Sequence, residues 1–482
     1  MLDRTELFVD GRPTAAAITV PVVDPSTGTV VGHGPVAGPA DIDHAVRAAR
    51  TSFEDRRWRD RTPTERAEVL RTAASLVADV RDDLTELVIT QNGSVHRFAH
   101  GVQAGSAQDL LPYYAELALT HLAEEHRSDP VGTSVVVQEP IGVVATITPW
   151  NSPQRAMLLK VAPALAAGCS VVHKPAPETP LDAFVVAEAL HKAGLPAGVF
   201  NVVPGGAEVG EQLVAHPDVD KVSFTGSSDV GRRILATAAG RIARVSLELG
   251  GKSPAVVLDD APLDDTVRRL APLAFLNTGQ ACVAQTRILV PRSRYETFVD
   301  AFATHVRSLT VGDPRDPATD LGPLATPAQR ERVEHYVAIG RAEGARVVAG
   351  GGLPRHQTRG WFHEPTVFAD VHNGMRIARE EIFGPVVCIL PYDGDDARAV
   401  SIANDTPYGL SATVWGADAA RAYAVARRIR AGRVGVNGAT HATRAPFGGF
   451  GQSGLGRETG PEAMDLYLEP QSIAVAGVRG EQ

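Results

Sequence analysis

Val143-Val144-Ala145-Thr146-Ile147, running into Thr148-Pro149-Trp150-Asn151-Ser152-Pro153, is the stretch from which the fold can be read. The first five residues have the β-branched content of a strand buried on both faces, and the proline-bracketed turn behind them ends it. Downstream, a helix is expected at about 156–167 and a strand at Ser170-Val171-Val172-His173. Thr179-Pro180 opens the next helix, and Gly194 with Pro196 behind it closes that helix. Val199-Phe200-Asn201-Val202-Val203 and Lys221-Val222-Ser223-Phe224 are further strands with a helix between them. Such alternation predicts a parallel sheet with helices on both faces. It resumes later, with a strand at Arg287-Ile288-Leu289-Val290, helices at 294–308 and 327–343, and a strand at 345–348.

Upstream, Phe8-Val9-Asp10-Gly11 reads as a strand and turn. Ile42, Val46, Ala49 and Phe53 recur at helical spacing, and Thr62, Pro63 and Glu65 form a capping box. Helical pattern continues to about residue 125. Thr133-Ser134-Val135-Val136-Val137-Gln138 then reads as a strand outside any βαβ unit. A chain of 482 residues is too long for one core, so two or three domains are expected. With no repeat and no low-complexity linker, the halves should pack along a cleft.

A net charge of −9 argues against a nucleic-acid partner, which needs concentrated positive charge. Three scattered cysteines, Cys169, Cys282 and Cys388, suit neither a disulfide scaffold nor a thiolate metal site, and no metal is expected. The start, Met1 to Leu7, has no apolar signal core, and no apolar run approaches the roughly 20 residues that span a bilayer. A reduced, cytoplasmic setting with no membrane partner is the expectation.

Several short stretches carry chemistry. Leu276-Asn277-Thr278-Gly279-Gln280-Ala281-Cys282-Val283-Ala284-Gln285 sets one thiol among small and amide side chains. Cysteine forms covalent intermediates readily near neutral pH, although a lone one is more often core filler. Leu247-Glu248-Leu249-Gly250-Gly251-Lys252 places a carboxylate between leucines, where a raised pKa would suit a general base. Asn151 could donate an amide N–H to a developing oxyanion. Phe224-Thr225-Gly226-Ser227-Ser228 joins a strand to a helix and could face a phosphate, but lacks the three-glycine dinucleotide fingerprint. Lys174 stands at the carboxyl end of a strand, where open α/β sheets bind ligands. Taken singly, each stretch also has a plain reading, as a turn or a solvated side chain.

Taken in order, the chain resembles the aldehyde dehydrogenase superfamily over nearly its whole length. The resemblance is carried by Pro149-Trp150-Asn151, Lys174-Pro175, Phe224-Thr225-Gly226-Ser227, Glu248-Leu249-Gly250-Gly251-Lys252, Gly279-Gln280-Ala281-Cys282, Glu381-Ile382-Phe383-Gly384-Pro385 and Pro446-Phe447-Gly448-Gly449. The resemblance implies that Cys282, Glu248 and Asn151 are catalytic. Cys282 attacks the aldehyde, Asn151 and the Cys282 N–H hold the oxyanion, and Glu248 activates the water that hydrolyses a thioester. It implies NAD as cofactor, with NADP as the alternative. The binding residues would be Ile147, Thr148, Pro149, Trp150, Lys174, Ala176, Pro177, Gly206, Gly210, Phe224, Thr225, Gly226, Ser227, Val230, Leu249, Gly250, Glu381 and Phe383.

The implied fold is α/β, with two Rossmann-like parallel-sheet domains and a small β oligomerisation arm. A nucleotide-binding domain would take residues 1–117 and 141–250, a catalytic domain 251–452, and the arm and tail 118–140 and 453–482. A homo-oligomer, dimer or tetramer, is expected.

The sequence departs from the family pattern in places. Pro177 stands where many NAD-preferring members have Glu, with Glu178 one residue later. Ser152 replaces a frequent Phe and Leu159 a frequent Trp, predicting a wider substrate tunnel that admits bulky aldehydes. Gly451 replaces a common lysine, and neither Ala281 nor Val283 offers Cys282 a neighbouring thiol. Two readings compete with hydrolytic aldehyde oxidation. One is a CoA-acylating dehydrogenase, which Glu248 argues against. The other is a catalytically silent nucleotide-binding member, which the retained Cys282 and Glu248 argue against.

Overall fold

The computed structural model describes residues 2–121 and 124–475. Two sheets dominate it. The first has eight strands in the order Gly454–Leu455, Arg244–Glu248, Lys221–Thr225, Val143–Ile147, Ser170–Lys174, Phe200–Val202, Glu6–Val9 and Arg12–Ala15. Its five central strands are parallel, as the alternation predicts, and Val143–Ile147 is buried at every position. The chain turns outward in both directions from Val143–Ile147, with Ser170–Lys174 on one side and Lys221–Thr225 on the other. Open α/β sheets bind ligands beyond the strand ends at such a switch point.

The second sheet has seven strands: Arg346–Ala349, Thr366–Ala369, Val386–Tyr392, Arg287–Pro291, Pro254–Val257, Ser411–Trp415 and Arg433–Val436. All neighbours are parallel except the first pair. Glu248 ends a strand of the first sheet and Pro254 begins one of the second. The carboxyl ends of the first sheet therefore meet the amino ends of the second, and the cleft lies between them.

A three-stranded antiparallel ribbon stands apart. Leu468–Ala474 pairs with Thr133–Pro140, which pairs with Glu125–Ser128, and Val135 lies opposite Ile473. Ile18–Asp24 and Thr29–Val36 make a separate hairpin.

The capping box forms as read: the Glu65 N–H donates to Thr62 Oγ1, and the Thr62 N–H to Glu65 Oε2 at 2.7 Å. Two expectations change. The helical pattern read to residue 125 ends at His121, and Glu125–Ser128 is strand, because its backbone pairs with Ser134 and its neighbours. The segment after 452 does not all belong to the arm. Gly454–Leu455 hydrogen-bonds along Arg244–Glu248, and the helix Gly460–Asp465 brings Ala463 and Met464 into the core beneath Pro153–Ala167. Residues 476–482 of the expected tail and 122–123 of the expected arm lie outside the described residues.

Candidate active site

The thiol loop follows the helix Leu263–Ala274. Asn277, Thr278 and Gly279 all have positive φ, so the loop coils tightly before reaching Cys282. Gly279 is required there on two counts. Its φ is +74°, and a Cβ would collide with the Gly384 carbonyl of the Phe383-Gly384-Pro385 turn. Cys282 keeps part of its surface open, whereas Cys169 and Cys388 are buried.

Amides fasten this loop to the switch point of the first sheet. Asn151 Nδ2 donates to the Gln280 carbonyl at 2.9 Å, and Asn277 Nδ2 donates to the Asn151 carbonyl at 3.0 Å. The Ser94 hydroxyl donates to Asn277 Oδ1 at 2.8 Å, and Asn92 Nδ2 to the Trp150 carbonyl. Asn151 thus stands beside the thiol loop, with one amide proton committed to position and one left. The Cys282 N–H has no backbone acceptor among the described residues.

Glu248 ends its strand buried, and neither carboxylate oxygen has a partner. Gly448, at φ +152°, makes room for it, since a Cβ there would lie 2.6 Å from Glu248 Oε1. Burial first, and the nearby Glu458 carboxylate second, raise the Glu248 carboxyl well above its usual range, against Lys160 and Arg457. Burial, followed by the charges of Glu381, Glu248 and Glu458, pushes the Cys282 thiol up to about 12. The thiol therefore holds its proton at rest.

On the other side of the thiol loop, Glu381 Oε1 accepts the Gly251 N–H at 2.8 Å, and burial raises its pKa to about 7. Phe383, at φ 65°, packs edge-to-face on Trp150 with centroids 5.6 Å apart. Gln329 Nε2 donates to the Phe383 carbonyl at 2.6 Å and holds this turn. Lys174 is buried, its ammonium donating to the Gly205 and Pro175 carbonyls, and burial lowers its pKa to about 8 while Glu178 opposes the shift. Gly210 lies against the Lys174 stem, and the Thr148 N–H donates to the Lys174 carbonyl. Gly206 and Ser227 start the helices Ala207–Ala215 and Ser228–Ala239, and Ser227 Oγ accepts the Val230 N–H. The Phe224 ring covers Gly226, and Leu249 packs on Gly231. Ile147 ends the central strand beside Phe224, with Pro149 in the turn behind it. Ala176 and Pro177 follow Lys174.

The expected cofactor residues therefore gather at, or pack against, the carboxyl-end edge of the first sheet. Its polar atoms fit a nucleotide: the hydroxyls of Thr148 and Thr225, at the ends of neighbouring strands, are buried without partners.

Sequence reading missed several residues. Lys160 and Glu458 form a buried ion pair next to Glu248. A lysine amid Ala156-Met157-Leu158-Leu159 and Val161-Ala162 was the available signal. Ser453 Oγ donates to the Gly250 carbonyl at 2.7 Å and accepts the Gly409 N–H, tying the Glu248 loop to the second sheet. Gln103 Nε2 donates to Ser152 Oγ at 2.6 Å, so the room expected from Ser152 is partly taken by Gln103. Gln103 lies in the π-helix Ala99–Ala104, which no local pattern announces. At Gly451, Arg430 brings its guanidinium to 3.3 Å from where a Cβ would stand, a cation near the position of the missing lysine.

The sequence matches the model of the aldehyde dehydrogenase family over residues 13–473. The chain belongs to the aldehyde dehydrogenase family. It is 47% identical to geranial dehydrogenase of Castellaniella defragrans, over 99% of this chain and 100% of that protein. Among solved structures, an aldehyde dehydrogenase from Mycobacterium tuberculosis complexed with NAD+ superposes with a TM-score of 0.97 at 43% identity, covering 99% of each chain. A mutant of aldehyde dehydrogenase C from Pseudomonas syringae, complexed with NAD+ and octanal, superposes with a TM-score of 0.93 at 41% identity, covering 97% of this chain and 96% of that one.

Proposed function

We infer that this aldehyde dehydrogenase oxidises an aldehyde to the carboxylic acid with NAD, through a thioester on Cys282 that water resolves. The observation that supports the reading is the gathering of three groups around the thiol loop. They are a partly open thiol, an amide donor anchored to its loop, and a buried carboxyl with both oxygens free.

Cys282 loses its proton to solvent and adds as thiolate to the aldehyde carbon. The remaining Asn151 amide proton and the Cys282 N–H hold the oxygen that takes up charge, a contribution of about 100- to 1000-fold per donor. When bound in the crevice, the nicotinamide supplies the hydride acceptor and a positive charge. Glu381 and Lys174 suit the ribose hydroxyls as charged acceptor and donor, and Trp150 with Phe383 bounds the ring's place. Glu248 takes the proton of the attacking water, the carbon–sulfur bond breaks, and the acid leaves with Cys282 restored as thiolate.

NAD ranks ahead of NADP because Glu178 keeps a carboxylate within electrostatic range of Lys174 even though Pro177 has replaced the more common Glu. Such a charge disfavours a 2′-phosphate. The antiparallel ribbon leaves Leu468–Ala474 as an edge with Ile473 exposed, which suits pairing in a dimer or in a tetramer built from dimers. Three free thiols suit a reducing cytoplasm. No helix among the described residues is long and apolar enough to cross a membrane.

The test is initial rates over a varied aldehyde panel, with NAD and NADP in parallel and no CoA. NADH should form without CoA. Mass spectrometry of a Glu248→Gln variant after one turnover should find the acyl group on the peptide containing Cys282. NADH production only when CoA is added would overturn the hydrolytic reading in favour of CoA acylation. Acyl label elsewhere would overturn the role of Cys282.

A further inference from the structure

Every residue of the helix Pro153–Ala167 is buried except Arg155, in its first turn. Arg155 follows Asn151 by one turn, and its N–H donates to Gln103 Oε1, which fixes the turn beside the thiol loop. From the opposite sheet, Arg433 begins the strand Arg433–Val436, and its guanidinium lies 5.9 Å from the centroid of Phe447. Phe447 exchanges backbone hydrogen bonds with Glu458, at 2.6 Å each, and precedes the Gly448 that accommodates Glu248. The two guanidinium groups thus approach the active site from different sheets. Arg433 lies within electrostatic range of both Arg155 and Cys282.

What sets this pair apart is the absence of partners. Arg155 and Arg433 are half-buried, and the two fully buried arginines are held mainly by carbonyls. Arg287 donates to Lys252, Ile402 and Ala403, and Arg66 to Ala166, Arg59 and Arg61. Neither Arg155 nor Arg433 has a side-chain hydrogen bond or ion pair with any described residue, and Arg433 Nε is buried with nothing to donate to. Asp109 and Glu458 influence Arg155 only at a distance. His441, beside Gly435, is held neutral by burial and by Arg433, so it brings no third charge. Two like charges within electrostatic range of each other, partly withdrawn from water and without a counterion, are costly to hold. An anion between them removes that cost, and planar guanidinium forks match a carboxylate.

We propose that Arg155 and Arg433 together bind a carboxylate at the far end of the aldehyde, so that the preferred substrates are aldehydes that already carry an acid group. The proposal rests on the reading of Cys282 as the nucleophile, since the aldehyde end must reach that sulfur. It gives the substrate side a polar anchor where the substitutions at Ser152 and Leu159 suggested only room.

The test is kcat/KM, with NAD, for 4-carboxybenzaldehyde and 4-methylbenzaldehyde, which differ little in size. Wild type should favour the carboxylate by about tenfold or more, consistent with the usual strength of charge-assisted hydrogen bonds. In Arg155→Leu and Arg433→Met that ratio should fall to near one or below, and Arg433→Lys should restore part of it. Benzoate should compete with the aldehyde in wild type and lose that effect in the neutral variants. Thermal melts of each variant separate loss of fold from loss of recognition. A wild-type preference for 4-methylbenzaldehyde, or equal losses on both aldehydes in folded variants, would overturn the anion site and leave the Cys282 chemistry standing. Turnover of neither aldehyde, nor of any other, would take both readings down together.

Discussion

The two sides of the thiol loop are built on opposite principles. On the nucleotide side, charged groups already have partners: Lys174 on two carbonyls and Glu381 on the Gly251 N–H. On the substrate side, Arg155 and Arg433 have none. A site whose charged groups are already held by backbone binds its ligand without rearranging them, and only the Thr148 and Thr225 hydroxyls there wait for a partner. An unsatisfied pair of cations costs stability and is explained only by what comes to lie between them. Recognition of the shared cofactor can thus be rigid, while the choice of aldehyde rests on a few side chains.

The largest effect expected from breaking this arrangement falls on the sulfur that both sides share. Cys282→Ala should lower aldehyde oxidation by at least about 10⁴-fold. Calorimetry should still find NAD bound, because the crevice makes no use of the thiol.

Asn151→Ala removes an oxyanion donor and the tie to Gln280, and should lower kcat by about 100- to 1000-fold. A change in KM alone would show that Asn151 only positions the loop.

The next effect is on pH. Glu248 acts as a base only when deprotonated, and burial with Glu458 raises its pKa. Hydrolysis should therefore be lost as pH falls through a value above the ordinary carboxylate range. Glu458→Gln removes the negative neighbour and leaves Lys160 positive, so the acid limb of kcat should move to lower pH. A limb that stays in place, with only the melting temperature changed, would confine Glu458 to structure.

The smallest effect is on stability and bears directly on the contrast between the two sides. Lys174→Met leaves two buried carbonyls without a donor and should destabilise the protein by about 1–3 kcal/mol. Arg433→Met removes an unpaired charge and, without substrate, should stabilise by about 1 kcal/mol. Thermal melts that moved in the same direction for both would erase the contrast between the two sides.

Much of the site could be read from the chain because its parts are local. The buried strand Val143–Ile147, the Pro149-Trp150-Asn151 turn, and the Gly-flanked Glu248 and Cys282 loops each state their chemistry within a few residues. What escaped was non-local. Lys160 and Glu458 are 298 residues apart, and Gln103 reaches Ser152 from a π-helix. The end of the arginine-bearing helix gave no sign that one of its residues would remain open.

The order of residues alone determined that strand and helix would alternate into a parallel sheet, that a thiol would sit among small and amide side chains before a strand, and that a carboxylate would lie among leucines. Periodicity and turn chemistry are properties of short segments, and they survive in any context. Only the folded chain decided which charges would be paired. A guanidinium is satisfied or abandoned according to what distant segments bring within about 3 Å of it, and that distance belongs to the packing of two sheets rather than to either stretch of sequence.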